Sequence, residues 1–317
     1  MVFLSCTDAS APVFMSRPSR SLLGKVAIVT GAGSDDDGVG NGRAISMLLA
    51  EDGASVVCVD VNVALAERTV AMIGQERRNG DQAAPTTALA VRADVSCEED
   101  CAAVVEAALG TFGRVDILIN NVGILGGRGT ATDVDVQEWT RGLEVNVTSM
   151  MLMAKHAIPA MAANEPTAAD GGIRGSIVNL GSVAGLRGGT PSLLYPTSKG
   201  AVVNMTRAMA AHHGPQGIRV NCVCPGTETP ASRRRLPPSA WTHRMLYTPM
   251  VYNQGDGMTA EMRESRRQRS LLRTEGNAWD CAAAVRFLAC GEARWITGTV
   301  LTVDAGATCS TGVPMNL

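Results

Sequence analysis

Val26-Ala27-Ile28-Val29 runs into Thr30-Gly31-Ala32-Gly33-Ser34, then through Asp35-Asp36-Asp37-Gly38-Val39 to Gly40-Asn41-Gly42, and this stretch decides the fold. Its first four residues are a continuous apolar run, the pattern of a parallel strand buried on both faces. After the glycines, Arg43-Ala44-Ile45 opens a segment in which Ile45, Leu48 and Leu49 share one side of a helix. Strand, glycine loop and helix N-terminus in that order form an anion site. Glycines let the backbone approach a pyrophosphate, and the helix dipole with its free N–H groups favours the charge. Gly31, Ser34, Gly40, Asn41 and Gly42 are the candidate contacts. A plain surface turn is the bland alternative, and the flanking strand and helix argue against it.

The next strand, Ser55-Val56-Val57-Cys58-Val59, ends in Asp60. An acid about 20 residues beyond the glycines can bind both ribose hydroxyls of an adenosine and would repel a 2′-phosphate. No Arg or Lys sits in the glycine loop or directly after Asp60, so NAD is the favoured cofactor, with NADP left open. Asp60 can also be read as a strand-end cap.

The alternation then continues to the end of the chain. A helix at 63–78 leads to a strand at 88–92 ending in Asp94-Val95, and a helix at 98–109 leads to a strand at 115–119 followed by Asn120-Asn121-Val122-Gly123. A long helix at 135–161 carries Asn146, and a strand at 176–180 ends in Gly181-Ser182. After a helix bearing Lys199 come a strand at 219–223, Pro225-Gly226, a helix at 279–288 and a strand at 300–303. Seven strands with crossover helices make a Rossmann-type α/β fold: a doubly wound parallel sheet with helices on both faces. Residues 24–317 are expected to form one domain, behind a disordered tail at 1–23 rich in Ser, Pro and Ala.

Composition agrees. Of 317 residues, 45% are apolar and 18% charged, as in a globular protein, and a net charge of −2 gives no basic footprint for nucleic acid or an acidic membrane surface. Aromatics make up only 3%, so the core rests on aliphatic side chains and Met. The nine cysteines include no C-x-x-C pair and no matching His cluster, which argues against a disulfide framework and against a metal site. Cys222 and Cys224 read as small core residues of a strand. No apolar run of membrane-spanning length occurs, so the expected location is cytoplasmic.

Tyr195-Pro196-Thr197-Ser198-Lys199 places a phenol and an ammonium four apart at the start of a helix, on one face. A free phenol ionises near 10, and about 4 kcal/mol of phenolate stabilisation would bring it to neutral pH. A neighbouring cation is expected to supply it. Alone, such a pair is usually a surface contact.

Taken together, Thr30-Gly31 with Gly40-x-Gly42, Asn120-Asn121-x-Gly123, Asn146, Ser182, Tyr195-x-x-x-Lys199 and Pro225-Gly226 resemble the short-chain dehydrogenases/reductases in kind and order. The likeness covers residues 24 to about 307 and includes the closing Ile296-Thr297-Gly298 and Val303-Asp304-Ala305-Gly306. It implies Tyr195 as the proton donor or acceptor. Lys199 would lower its pKa and bind the nicotinamide ribose, Ser182 would steady the substrate oxygen, and Asn146 would hold a water linking Lys199 to solvent. It further implies cofactor contacts at Asp94, Val95, Asn121, Gly123, Pro225, Gly226, Thr227 and Thr229, a small alcohol or ketone substrate, and a homotetramer or homodimer.

The chain departs from the family pattern in three places. The glycine loop carries an insert at Asp35–Val39, whose three aspartates would repel a pyrophosphate unless they bulge outward. Val122 and Gly181 replace a usual alanine and a frequent serine. The segment Pro225-Gly226-Thr227-Glu228-Thr229-Pro230 is one residue short. Residues 231–275 are expected to cover the substrate, with Trp241, Tyr247, Met250 and Tyr252 as pocket candidates. That segment is rich in arginine (Arg233, Arg234, Arg235, Arg244, Arg263, Arg266, Arg267, Arg269), which reads either as a grip on an anionic substrate or as a solvated or subunit-facing helix. The functional expectation is an NAD(P)-dependent oxidoreductase that moves hydride between nicotinamide and a secondary alcohol or ketone. An NADP-linked ketone reductase and a dinucleotide-binding protein without turnover are the alternatives.

Overall fold

A computed structural model describes residues 17–34, 38–79, 87–166, 171–188, 190, 192–226, 261, 264, 267–268 and 270–309. The strands are β1 (Val26–Thr30), β2 (Ser55–Asp60), β3 (Ala88–Arg92), β4 (Ile117–Asn120), β5 (Gly175–Leu180), β6 (Ile218–Pro225) and β7 (Val300–Val303). They form one parallel sheet in the order β3-β2-β1-β4-β5-β6-β7. The helices are α1 (Asn41–Glu51), α2 (Val63–Asn79), α3 (Glu98–Phe112), α4 (Val136–Leu143), α5 (Ser149–Ala162), α6 (Leu194–His213) and α7 (Ala278–Ala289).

The inner apolar runs form strands because both faces of each are covered, while the edge strands β3 and β7 are only partly buried. In β1, Ala27 and Val29 pack into a cluster with α1 and α7, while Ile28 packs into the opposite cluster with α3 and α5. In β2, Val56 and Cys58 face the first cluster and Val57 and Val59 the second, the two-residue alternation of a pleated strand. Strand order reverses between β1 and β4, so their carboxyl ends diverge and leave a crevice where such sheets bind ligands.

Two local features differ from the expectations. The long helix expected at 135–161 is interrupted: α4 and α5 are joined by a π-helical turn, Glu144–Thr148, which contains Asn146. Packing also begins ahead of residue 24. Leu22 is buried and donates its N–H to Asp52 O at 2.7 Å, and Arg20 pairs with Asp52 at 3.1 Å. No helix among the described residues is long and apolar enough to cross a membrane.

Candidate active site

A cleft of about 720 Å³ opens at the carboxyl ends of the strands, between the β1–α1 loop and the start of α6. Its phosphate end is the glycine loop. Gly31 has φ +63°, in the left-handed region, and so turns the chain out of β1 at no steric cost. A Cβ on Gly42 would lie 1.9 Å from Gly31 O, so only glycine lets α1 press its N-terminus against the turn. The first helical bond runs from Ala44 N to Gly40 O, which leaves the amides of Asn41 and Gly42 ahead of it at the positive end of the dipole. Ser34 Oγ accepts from Gly40 N at 3.0 Å. Asn41 Oδ1 is buried with no protein partner, an acceptor that a ligand N–H or O–H would satisfy. The loop and helix end fit a dinucleotide phosphate, and the orphaned acceptor fits a ribose hydroxyl beside it.

Arg43 braces this loop. It is fully buried, and its guanidinium donates to Ser34 O at 2.9 Å, to Gly38 O and to Thr69 Oγ1 at 3.1 Å, so one side chain ties together both sides of the insert. The sequence reading missed it, because arginine is almost never fully buried. Asn121 holds the loop from β4, donating its side-chain amide to Thr30 O and Gly31 O, each at 3.0 Å.

At the adenosine end, Asp60 Oδ2 accepts from Gly33 N at 2.9 Å and Oδ1 from Asn62 N at 3.0 Å, which fixes the carboxylate at the cleft wall. Asp94 and Val95 line the same end. The Ser96 hydroxyl and amide, followed by Arg141, hold the Asp94 carboxyl below its ordinary range. Arg141, on α4, also lines the cleft, and it reaches Asp94 at 3.4 Å and Ser96 Oγ at 2.9 Å. Sequence reading gave no sign of this pairing across 47 residues.

At the other end, Ser182 follows β5, its hydroxyl accepts from Ala184 N at 3.1 Å, and it stands near enough to the Tyr195 phenol to favour the phenolate. Tyr195 stands half-buried in the first turn of α6. Lys199 is buried one turn on. Its Nζ donates to Leu180 O at 2.8 Å and lies 5.9 Å from the Tyr195 ring centroid. Gly123, Pro225 and Gly226 complete this end of the cleft. Asn146 sits behind it, fully buried, with Oδ1 accepting from Ile124 N at 2.7 Å and Nδ2 donating to Ile124 O at 2.8 Å and Ser198 Oγ at 3.0 Å.

One expectation needs correction. In the ligand-free protein the Tyr195 pKa is raised above its ordinary value, because burial disfavours the phenolate more than the Ser182 hydroxyl favours it. Lys199 gives one of its three N–H groups to Leu180 O, and burial pulls its own pKa down to about 8.

Lys199 binds its proton less tightly folded than unfolded, so the sign of its linkage follows directly. Below pH 8 both states are protonated and the burial cost is fully present. From about 8 to 10.5 the unfolded state holds more protons, and stability rises with pH. Relative to Lys199→Met, the wild-type protein is expected to gain up to ~3 kcal/mol across that window, measured by urea unfolding at both ends.

Thr227, Thr229, the aspartates 35–37 and the pocket candidates Trp241, Tyr247, Met250 and Tyr252 lie outside the described residues, as do all the loop arginines but one. That one, Arg267, pairs with Glu264 at 2.6 Å and Glu275 at 3.9 Å, so its charge is answered within the chain.

The glycine loop, Asp60 and the Ser182–Tyr195–Lys199 group share one cleft, and comparison with known proteins agrees with that arrangement. The family model described as short chain dehydrogenase matches residues 25–238. The chain belongs to the short-chain dehydrogenase family. A second model, described as enoyl-(acyl carrier protein) reductase, matches residues 240–308 of this dehydrogenase. Among its relatives, 2-(S)-hydroxypropyl-CoM dehydrogenase 3 of Xanthobacter autotrophicus is 34% identical over 290 residues, covering 92% of this chain and 99% of its own. Cis-4-hydroxycyclohexanecarboxylate dehydrogenase of Sinomonas cyclohexanicum is 34% identical over 284 residues, covering 90% of this chain and 96% of its own. A solved 7α-hydroxysteroid dehydrogenase, complexed with NADH and 7-oxo glycochenodeoxycholic acid, has a TM-score of 0.73 and 30% identity, covering 90% of this chain and 95% of its own. The protein is an oxidoreductase of CH–OH groups that uses NAD(P).

Proposed function

We propose that the dehydrogenase interconverts a small secondary alcohol and its ketone with NAD, with Tyr195 as the acid/base. The observation that carries this reading is that Ser182, Tyr195 and the buried Lys199 line the same cleft as the glycine loop. When bound, the nicotinamide supplies the hydride donor or acceptor. Tyr195 gives its proton to the ketone oxygen, or takes it from the alcohol. Ser182 Oγ lies beside the phenol and can steady the oxygen on which charge develops. Lys199 binds the nicotinamide ribose and keeps a cation behind the phenol, while Asn146 fixes the Ile124 loop and the Ser198 hydroxyl on α6. The ligand-free site holds Tyr195 protonated, the state that donates to a ketone. The hydroxypropyl, hydroxycyclohexane and hydroxysteroid groups in the relatives' names support the substrate class. Turnover of a panel of secondary alcohols and cyclic ketones with NAD and NADH tests the reading, and no turnover across the panel would refute it. Assembly into two or four copies through the helices near Asn146 and Lys199 belongs to the same proposal.

Asp60 supports NAD over NADP, since its carboxylate is pinned where a 2′-phosphate would have to sit. Asp60→Ser is expected to raise KM for NAD roughly 10–100-fold, the worth of charge-assisted hydrogen bonds, and to improve the use of NADP. Steady-state titration of both cofactors measures it. An unchanged ratio would remove Asp60 from cofactor choice.

A further inference from the structure

Cys222 and Cys224 have no part in this chemistry, yet both lie directly beneath it. Two apart on β6, they point to the same face of the sheet. Both are fully buried, and their sulfurs are 3.7 Å apart as free thiols. Gly181 covers the pair. A Cβ there would come within 2.8 Å of Cys222 Sγ and 2.7 Å of Cys224 Sγ, so the two sulfurs fill the space a side chain would take. Gly181 also lines the cleft, which leaves bare backbone between the cleft floor and the thiols. On either side of it, Leu180 O holds the Lys199 ammonium and Ser182 lines the cleft with Tyr195. The roof of the dithiol is the floor of the active site.

We propose that Cys222 and Cys224 are a modification site: a dithiol that a small hydroperoxide entering by the cleft oxidises to a disulfide, reversibly shutting the active site. Sulfur of Cys222 attacks the peroxide, forming an S–O bond and breaking O–O, and the departing oxygen leaves as water or alcohol once protonated. Sulfur of Cys224 then attacks Cys222, forming S–S and releasing the hydroxyl as water with the thiol proton. Two electrons pass from the thiols to the peroxide. The Lys199 cation favours the thiolate of either sulfur; Cys222 is the better attacker, because the Cys224 hydrogen bond and the Gly181 amide hold its pKa below the ordinary thiol value, whereas hydrogen bonding to Cys222 and burial raise that of Cys224. Two residues of parallel strand span about 6.6 Å between Cα atoms, near the upper end of the 4.4–6.8 Å that disulfides bridge, and their Cβ atoms, similarly spaced, must close to about 4 Å. The bond therefore contracts β6 just ahead of Pro225 and Gly226, and a stretched bridge is readily reduced.

The test is peroxide treatment of the full chain, followed by alkylation, peptide mass mapping, and assays of NADH binding and turnover. The expected result is an intact bridge in the tryptic peptide from Val220 to Arg233, lighter by two hydrogens and unalkylated. Turnover should fall roughly fivefold or more and return with dithiothreitol. Cys222→Ala and Cys224→Ala should each lose the reversible inhibition. Reduced, alkylatable Cys222 and Cys224 after treatment would overturn the proposal, as would a bridge that leaves turnover unchanged or equal reversible inhibition in both variants. The wild-type mass map decides the bridge even where a variant fails to fold, and it does not depend on which substrate the enzyme takes.

Discussion

Tyr195→Phe is expected to lower kcat roughly 10³-fold, while the dissociation constant for NADH stays within about threefold. The substitution removes one hydroxyl and leaves the ring that packs at the start of α6, so the cleft keeps its shape. What disappears is the proton carried to or from the substrate oxygen. Single-turnover oxidation of NADH reads the chemical step, and fluorescence titration reads binding. A fall of less than tenfold with intact binding would move the acid/base role away from Tyr195. Equal losses in both would make the residue structural.

The second large effect is at Gly42. In Gly42→Ala the new methyl would lie 1.9 Å from Gly31 O, 2.7 Å from Gly31 C and 2.7 Å from Asn121 Nδ2. Backbone cannot swing aside as a long side chain can, so α1 must lift from the β1 turn and carry its N-terminus away from the phosphate position. Overpacking of this kind costs about 1–3 kcal/mol or more, equivalent to a melting shift of roughly 2–5 °C in a chain of this size. Dinucleotide affinity should fall roughly 10²-fold, because the free amides and dipole no longer point at the anion. Gly110→Ala is the internal control. Gly110 lies in α3 with nothing within 4 Å of its added Cβ, and the substitution should be neutral or stabilising by up to ~1 kcal/mol. Calorimetry on both variants separates a local clash from a general intolerance of alanine.

The parts of the site that were legible in the sequence are those with a local signature. β7 lies at the expected 300–303 and β3 at 88–92, because an apolar run between polar breaks has few other ways to fold inside a layered α/β protein. The turn at Gly31, the carboxylate of Asp60 and the pair Tyr195 and Lys199 are marked by residue type and by position at a strand end or helix start. What was not legible depends on distance in the chain or on burial. The π-turn at Asn146 shifts the hydrogen-bond ladder without changing the side-chain pattern enough to show. Arg141 meets Asp94 only because α4 folds back over the end of β3. The direction of the Tyr195 shift reverses because burial of the phenol, which no local pattern reports, decides the balance.

Arg43 has a consequence for protein engineering. Its one guanidinium fastens Ser34 O on one rim and Gly38 O on the other, so the chain between them starts and finishes at fixed points whatever its content. A single substitution at Arg43 would therefore release Ser34 and Gly38 together, loosening one wall of the dinucleotide cleft at two points at once.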